Sequence, residues 1–248
     1  MDTLTVTTRL VVWSVLAVSF FAERAHAEES EVVAIPERIR DLSDSEVTER
    51  LDFLIERLDS GRDYAWWWWT GWTAFYGLGV VVEGMRAGLT DHEARRAQYI
   101  VGSVKAVGGV AVLLLRPPEA KDGADDVRAL PHSTPDDRRR QLAVAERQLH
   151  TNAELSDRRY SWLRHAINLG VNAAGGVIIA QGFDDPSRGA RSAGVGAAVG
   201  ELSIWTQPWW PPHDWEEYQR RFNAAPVAQR VSWRIVPISG GAAFQLNF

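Results

Sequence analysis

The sequence predicts a mainly α-helical protein. Two Gly-rich helical hairpins, read as an internal duplication, each follow a charged amphipathic helix, and a β-hairpin closes the chain. Three observations predict this. Tyr64 to Val82 runs nineteen residues without a formal charge and opens on four tryptophans, Trp66 to Trp69. A shift of 96 residues then pairs Tyr64 and Trp66 with Tyr160 and Trp162, and Gly79, Val81 and Val82 with Gly175, Val177 and Ile178. The order of events also repeats: charged helix, Tyr-x-Trp, apolar segment, polar turn, apolar segment, proline. Chance resemblance between Gly-rich helices is the alternative.

Residues 1–27 read as a secretory signal peptide. Arg9 supplies the positive start, Leu10 to Phe21 the apolar stretch, and Ala25-His26-Ala27 the small-x-small cleavage site. The chain has no Cys, so it forms no disulfide and carries no lipoprotein anchor. Net charge is −5 with both signs interspersed, and no basic patch argues for nucleic acid.

Residues 28–118 form the first expected repeat. Val47, Leu51, Leu54, Ile55 and Leu58 share one helical face. The polar face is acidic, with Glu46, Glu49, Asp52, Glu56 and Asp59, which favours packing on the protein over lying on a membrane. Gly61 is a stop or hinge before the Trp run. Tyr64 to Val82 and Ala97 to Leu115 are the apolar segments, separated by a polar break over Glu83 to Arg96. Arg116-Pro117-Pro118 ends the second segment, since consecutive prolines cannot continue a helix.

Residues 119–135 read as a solvated loop. Asp122, Asp125 and Asp126 miss the EF-hand spacing. Residues 136–212 are the second repeat. Leu142, Ala145, Leu149 and Ala153 make a helical stripe. Trp162 to Gly182 is a weaker apolar segment, carrying Arg164, His165, Asn168 and Asn172. Asp184-Asp185-Pro186 is a turn, and Ala190 to Trp205 is the last apolar segment. Residues 213–248 are a tail. Val231 to Ile238 and Ala242 to Phe248 alternate around Gly240-Gly241, which predicts the β-hairpin.

Small residues recur four apart in the apolar segments: Gly102 and Ala106, Gly170 and Ala174, Gly196 and Gly200. Such pairs let helix backbones approach closely, in lipid or in a tight soluble bundle. Trp66, Trp67, Trp68, Trp69, Trp162, Trp205, Trp209 and Trp210 all map to the end of the hairpins away from the short turns. That is the pattern of a one-sided aromatic belt at a membrane interface. Charge does not choose an orientation. The short turns hold Arg86, Arg95, Arg96, Arg188 and Arg191, and the opposite flank holds Arg62, Arg116, Arg158, Arg159 and Arg164.

No nucleophile elbow, phosphate-binding loop or metal-spaced His pair occurs, so the expectation is a non-enzymatic protein without cofactor or metal. Lys105 and Glu201 lie in the second and fourth apolar segments and coincide at the 96-residue shift. They are candidates for a direct buried ion pair, the alternative being that both are exposed, Lys105 by snorkelling. The resulting reading is an exported cell-envelope protein, membrane-associated through its hairpins, with its polar bulk in the periplasm. A lipid bilayer is the expected partner, with a homo-oligomer or another envelope protein as further candidates. A small channel or transporter component, and a soluble periplasmic bundle, are the alternatives.

Overall fold

The computed structural model describes residues 34–222 and the backbone of 232–238 and 241–247. The expected signal peptide lies outside the described residues. The described chain is mainly helical and falls into two layers of opposite character.

The first layer is built from charged helices. It contains α1 (Glu37–Arg40), α2 (Asp44–Ser60), α5 (Asp125–Arg128), α6 (Pro135–Arg159) and α9 (Pro211–Phe222). Local chemistry fixes the starts of the long ones. Ser43 and Glu46 form a reciprocal capping box at α2. Thr134 and Asp137 do the same at α6, with Pro135 in the first turn. Val47, Leu51, Leu54 and Leu58 of α2 face Leu142, Ala145 and Leu149 of α6, with Ile39 and Tyr218 completing the core. The acidic face of α2 stays outside this core.

One buried carboxylate ties three of these helices together. Tyr218 donates its hydroxyl to Glu146, and Arg38 pairs with the other oxygen of Glu146 at 2.6 Å. Burial and the neighbouring Glu146 charge push the Tyr218 hydroxyl well above its ordinary range.

The second layer holds α3 (Arg62–Leu89), α4 (Glu93–Leu115), α7 (Trp162–Gly182) and α8 (Pro186–Trp205). Three-residue turns join α3 to α4 and α7 to α8, so each pair is an antiparallel hairpin. Asp185 caps α8 by accepting from the Arg188 backbone N–H at 2.9 Å, ahead of Pro186. At about 1.5 Å per residue, α7 and α8 are about 30 Å long and α3 and α4 longer. Gly61 separates α2 from α3, and a Cβ there would overlap the ring of Trp210. The glycine thus serves close approach by an aromatic ring.

Three expectations are corrected. The polar break at Glu83 to Arg96 is narrower, because α3 runs on to Leu89 and only 90–92 are non-helical. Residues 119–135 are not a solvated loop. A 3-10 turn (Glu119–Asp122) and α5 lie within them, and Ala120, Ala124 and Val127 are buried. Asp125 there is paired with Arg62 at 2.6 Å. The prolines that close the second repeat, Pro211 and Pro212, lie beyond the end of α8 at Trp205 and begin α9.

At the C-terminus the backbone of β1 (Ser232–Ile238) lies antiparallel to β2 (Gly241–Asn247), with Ser232 opposite Asn247. This does not secure the expected hairpin. Its turn, 239–240, and every side chain beyond Phe222 lie outside the described residues.

Candidate functional site

The four-helix layer is apolar outside and polar inside. Every exposed large hydrophobic side chain among the described residues lies on α3, α4, α7, α8 or the segment that follows α8. Leu78, Val195, Trp67 and Trp162 are 65%, 66%, 68% and 75% exposed, and Leu89 is 86% exposed. Isolated exposed apolar residues are normal. Here 22 lie on these four helices and one more, Trp209, just after α8, and the charged helices contribute none. Half-burying each is worth about 1 kcal/mol, so in water they forgo on the order of 20 kcal/mol. That exceeds the roughly 5–15 kcal/mol that holds an ordinary domain folded.

The interior holds a ladder of polar side chains. His165, Asn168 and Asn172 lie on one face of α7, being three and four residues apart. The Lys105 ammonium of α4 donates to Asn172 Oδ1 at 3.0 Å and faces the Ser192 carbonyl at 3.4 Å. Asn172 Nδ2 donates to Asn168 Oδ1 at 2.9 Å. Asn168 Nδ2 donates to Glu201 Oε1 at 2.9 Å and to the Ala197 carbonyl at 3.0 Å. Glu201 Oε2 meets His165 Nδ1 at 2.6 Å. The hydrogen bonds therefore run one way, from ammonium through two amides to carboxylate. Unpaired polar groups in this layer would each cost about 1–3 kcal/mol, and the ladder supplies their partners.

Lys105 and Glu201 accordingly do not form the candidate direct ion pair. The charges stand on different helices, as expected, but Asn172 and Asn168 lie between them. The cause is the depth of the groove along α8. Gly196 and Gly200 leave room that the two asparagines fill: a Cβ on either would overlap an asparagine oxygen, and one on Gly196 would also come within 2.7 Å of Lys105 Nζ. The two glycines are four apart and so are the two asparagines, which matches them turn for turn. Glu83 of α3 lies against Gly102 of α4 in the same manner, where a Cβ would stand 3.1 Å from Oε2. Gly170 has open space beside it instead.

The tryptophans gather at the end of the layer that meets the charged helices. Trp66 and Trp67 point outward and touch edge to face at 4.7 Å. Trp68 and Trp72 turn inward, both donating to Thr206 Oγ1 at 3.2 and 3.1 Å. Tyr64 donates to the Thr206 carbonyl at 2.6 Å. Trp69 donates to the Leu113 carbonyl at 2.8 Å and lies under the Lys121 ammonium. Trp162, Trp205 and Trp209 are exposed, and Trp205 lies 5.6 Å from the His165 ring. Trp210 packs on Tyr64 at 5.3 Å. The run thus serves two purposes, since successive residues on a helix face different directions.

His165, Asn168 and Asn172 are not candidate site residues on the sequence alone. Their shared face is visible in their spacing, and so is the matching spacing of Gly196 and Gly200. Among the described residues no group of three or more His, Asp or Glu side chains is placed to hold a metal ion. Comparison with protein-family models, with curated proteins and with solved structures finds no match for this chain.

Proposed function

We propose that the chain is a non-enzymatic envelope membrane protein whose helices α3, α4, α7 and α8 are embedded in a bilayer. The concentration of exposed large apolar side chains on these four helices and the segment just after α8 carries this reading. An apolar exterior around a hydrogen-bonded polar ladder suits a lipid solvent, where buried polar groups must find partners within the protein. Helix lengths agree, since about 30 Å spans the hydrocarbon core. By length and composition alone one helix among the described residues, Glu93–Leu115, is long and apolar enough to cross a membrane. The polar ladder gives a reason why α7 falls short on composition: its His165, Asn168 and Asn172 take their partners inside the layer. In α3 the Trp run belongs at an interface, where indole rings settle. Residues 1–27 would direct export, placing the charged layer in the periplasm, and the C-terminal strands would form a hairpin beside it.

The test is fractionation of the mature protein. It should stay with membranes through carbonate and leave them only in detergent. In vesicles, a quencher carried on lipid chains should reduce Trp fluorescence more than an aqueous one. Full solubility without detergent, with quenching from water alone, would overturn the reading in favour of a soluble bundle.

A further inference from the structure

The second hairpin joins the charged layer at its open end, opposite the turn over 183–185. Tyr160 and Ser161 separate α6 from α7, and 206–210 separate α8 from α9. Three hydrogen bonds at this joint run from a hydroxyl to a carbonyl. Tyr160 donates to Gln207 at 3.0 Å, Ser156 to Pro208 at 2.9 Å and Tyr64 to Thr206 at 2.6 Å. Hydroxyls and carbonyls of this kind keep their charge between roughly pH 5 and 8.

A fourth tie has different chemistry. His165, in the first turn of α7, places Nδ1 2.6 Å from Oε2 of Glu201, near the end of α8. The other Glu201 oxygen accepts from Asn168 at 2.9 Å. An ionised carboxylate only accepts, so Nδ1 carries a hydrogen and donates it, and a further proton enters the ring at Nε2. The two side chains are 25% and 27% exposed, so protons reach them from solvent. Histidine is the side chain whose ordinary charge change falls between about pH 5 and 8. Proton uptake turns a neutral donor into a charged one, and a charge-assisted hydrogen bond is roughly twice as strong.

The other ionisable groups around the joint do not switch in this range. On α7 itself stands Arg164, which as the preceding residue faces another way. The end of α6 brings Arg159 and Tyr160, and the start of α3 brings Tyr64. From α4 come Arg116, just past its end, and Lys105, reached through Asn172 and Asn168. Glu119 acts on Arg159. Arginine, lysine and tyrosine ordinarily hold their charge state below about pH 8, and carboxylates above about pH 5. We propose that His165 and Glu201 form a pH-operated latch at this joint, drawing the start of α7 to the end of α8 in acid and easing as pH rises. In a bilayer the latch would lie level with the exposed Trp162 and Trp205 and answer to the pH on the side of the charged layer.

Trp205 reports on it. Its ring lies 5.6 Å from that of His165, and a protonated imidazole quenches a neighbouring indole. The experiment takes the full mature protein in detergent from about pH 8 to about pH 5.5. Tryptophan emission should fall further in the natural protein than in His165→Gln, and Trp205→Phe should remove that excess. His150, 4.8 Å from Trp215, adds quenching that all these variants retain. The melting-temperature advantage over His165→Gln should be larger at the lower pH by about 2–4 °C. Glu201→Gln keeps an acceptor without the charge and should lose the same advantage, whereas Trp205→Phe should keep it. If His165→Gln fails to fold, the natural protein is compared with Trp205→Phe alone, where the acid quenching should shrink. An advantage over His165→Gln that is equal at both pH values, or acid quenching undiminished without Trp205, overturns the latch. Neither result touches the membrane reading. A protein that needs no detergent loses that reading, and its latch is then titrated in buffer by the same comparison.

Discussion

Asn168 and Gly200 occupy one space between them: the amide oxygen of Asn168 sits where a side chain on residue 200 would begin. The same holds for Asn172 and Gly196, one turn further along both helices. In this hairpin the small residues of α8 do not bring bare backbones together. They make a groove for the polar side chains of α7.

Gly200→Ala should therefore act through Asn168. The added methyl displaces an amide that holds Glu201 and the Ala197 carbonyl. Losing those bonds should cost about 1–3 kcal/mol, despite the better helix propensity of Ala. Asn168→Ala should also destabilise. The double variant should cost less than the sum, because the methyl then fills space the amide has left. Thermal unfolding of the four proteins in one detergent checks this. Additive losses would show that the groove and the amide are independent.

The charges at the ends of the ladder make a second case. Lys105→Glu and Glu201→Lys should each destabilise by about 2–3 kcal/mol, since each leaves an amide facing the wrong partner beside two like charges. The double exchange should recover part of this. Both asparagine amides can turn over, which reverses the direction of the chain and lets a carboxylate at 105 accept where the ammonium donated. Recovery should stop short of the natural protein, because His165 would then face an ammonium at 201. The cycle reads on folded yield and melting temperature. No recovery at all would mean that the ladder does not couple the two sites.

The mainly helical character was legible because charged and apolar periodic segments alternate between glycine and proline breaks. The caps Ser43, Thr134 and Asp185 emerge only with the structure. Boundaries were less legible where a residue type misled. Glu83 reads as a break, yet it stays helical because Gly102 leaves it a place between α3 and α4. The turns within 119–135 were missed because their short apolar residues, Ala120, Ala124 and Val127, are too few to show a period. The ladder was half legible. The spacing of His165, Asn168 and Asn172 puts them on one face, but their bonds to Lys105 and Glu201 depend on how α4 and α8 are seated beside α7. No local pattern encodes that seating.

Asp214 gives the charged layer a pH dependence of definite sign. It is 4% exposed, 3.6 Å from Arg57, which prefers Glu217 at 2.8 Å. Burial pushes its carboxyl up to about 6 from an ordinary 3.8; Arg57 and His213 oppose this, and the Glu217 charge adds to it. The folded protein thus holds a proton that the unfolded chain releases first. Stability from this group is complete below about pH 4 and declines as pH rises through about 6. A rise of that size is worth at most about 3 kcal/mol. Asp214→Asn mimics the protonated form. It should gain stability over the natural protein at pH 7.5 and little or none at pH 4, with His213 and Glu217 left in place in both. The measurement is the difference in melting temperature between the two proteins from pH 4 to 8. A difference that stays flat across that range, or that favours the natural carboxylate as pH rises, would show that the Arg57 pair outweighs burial at this position.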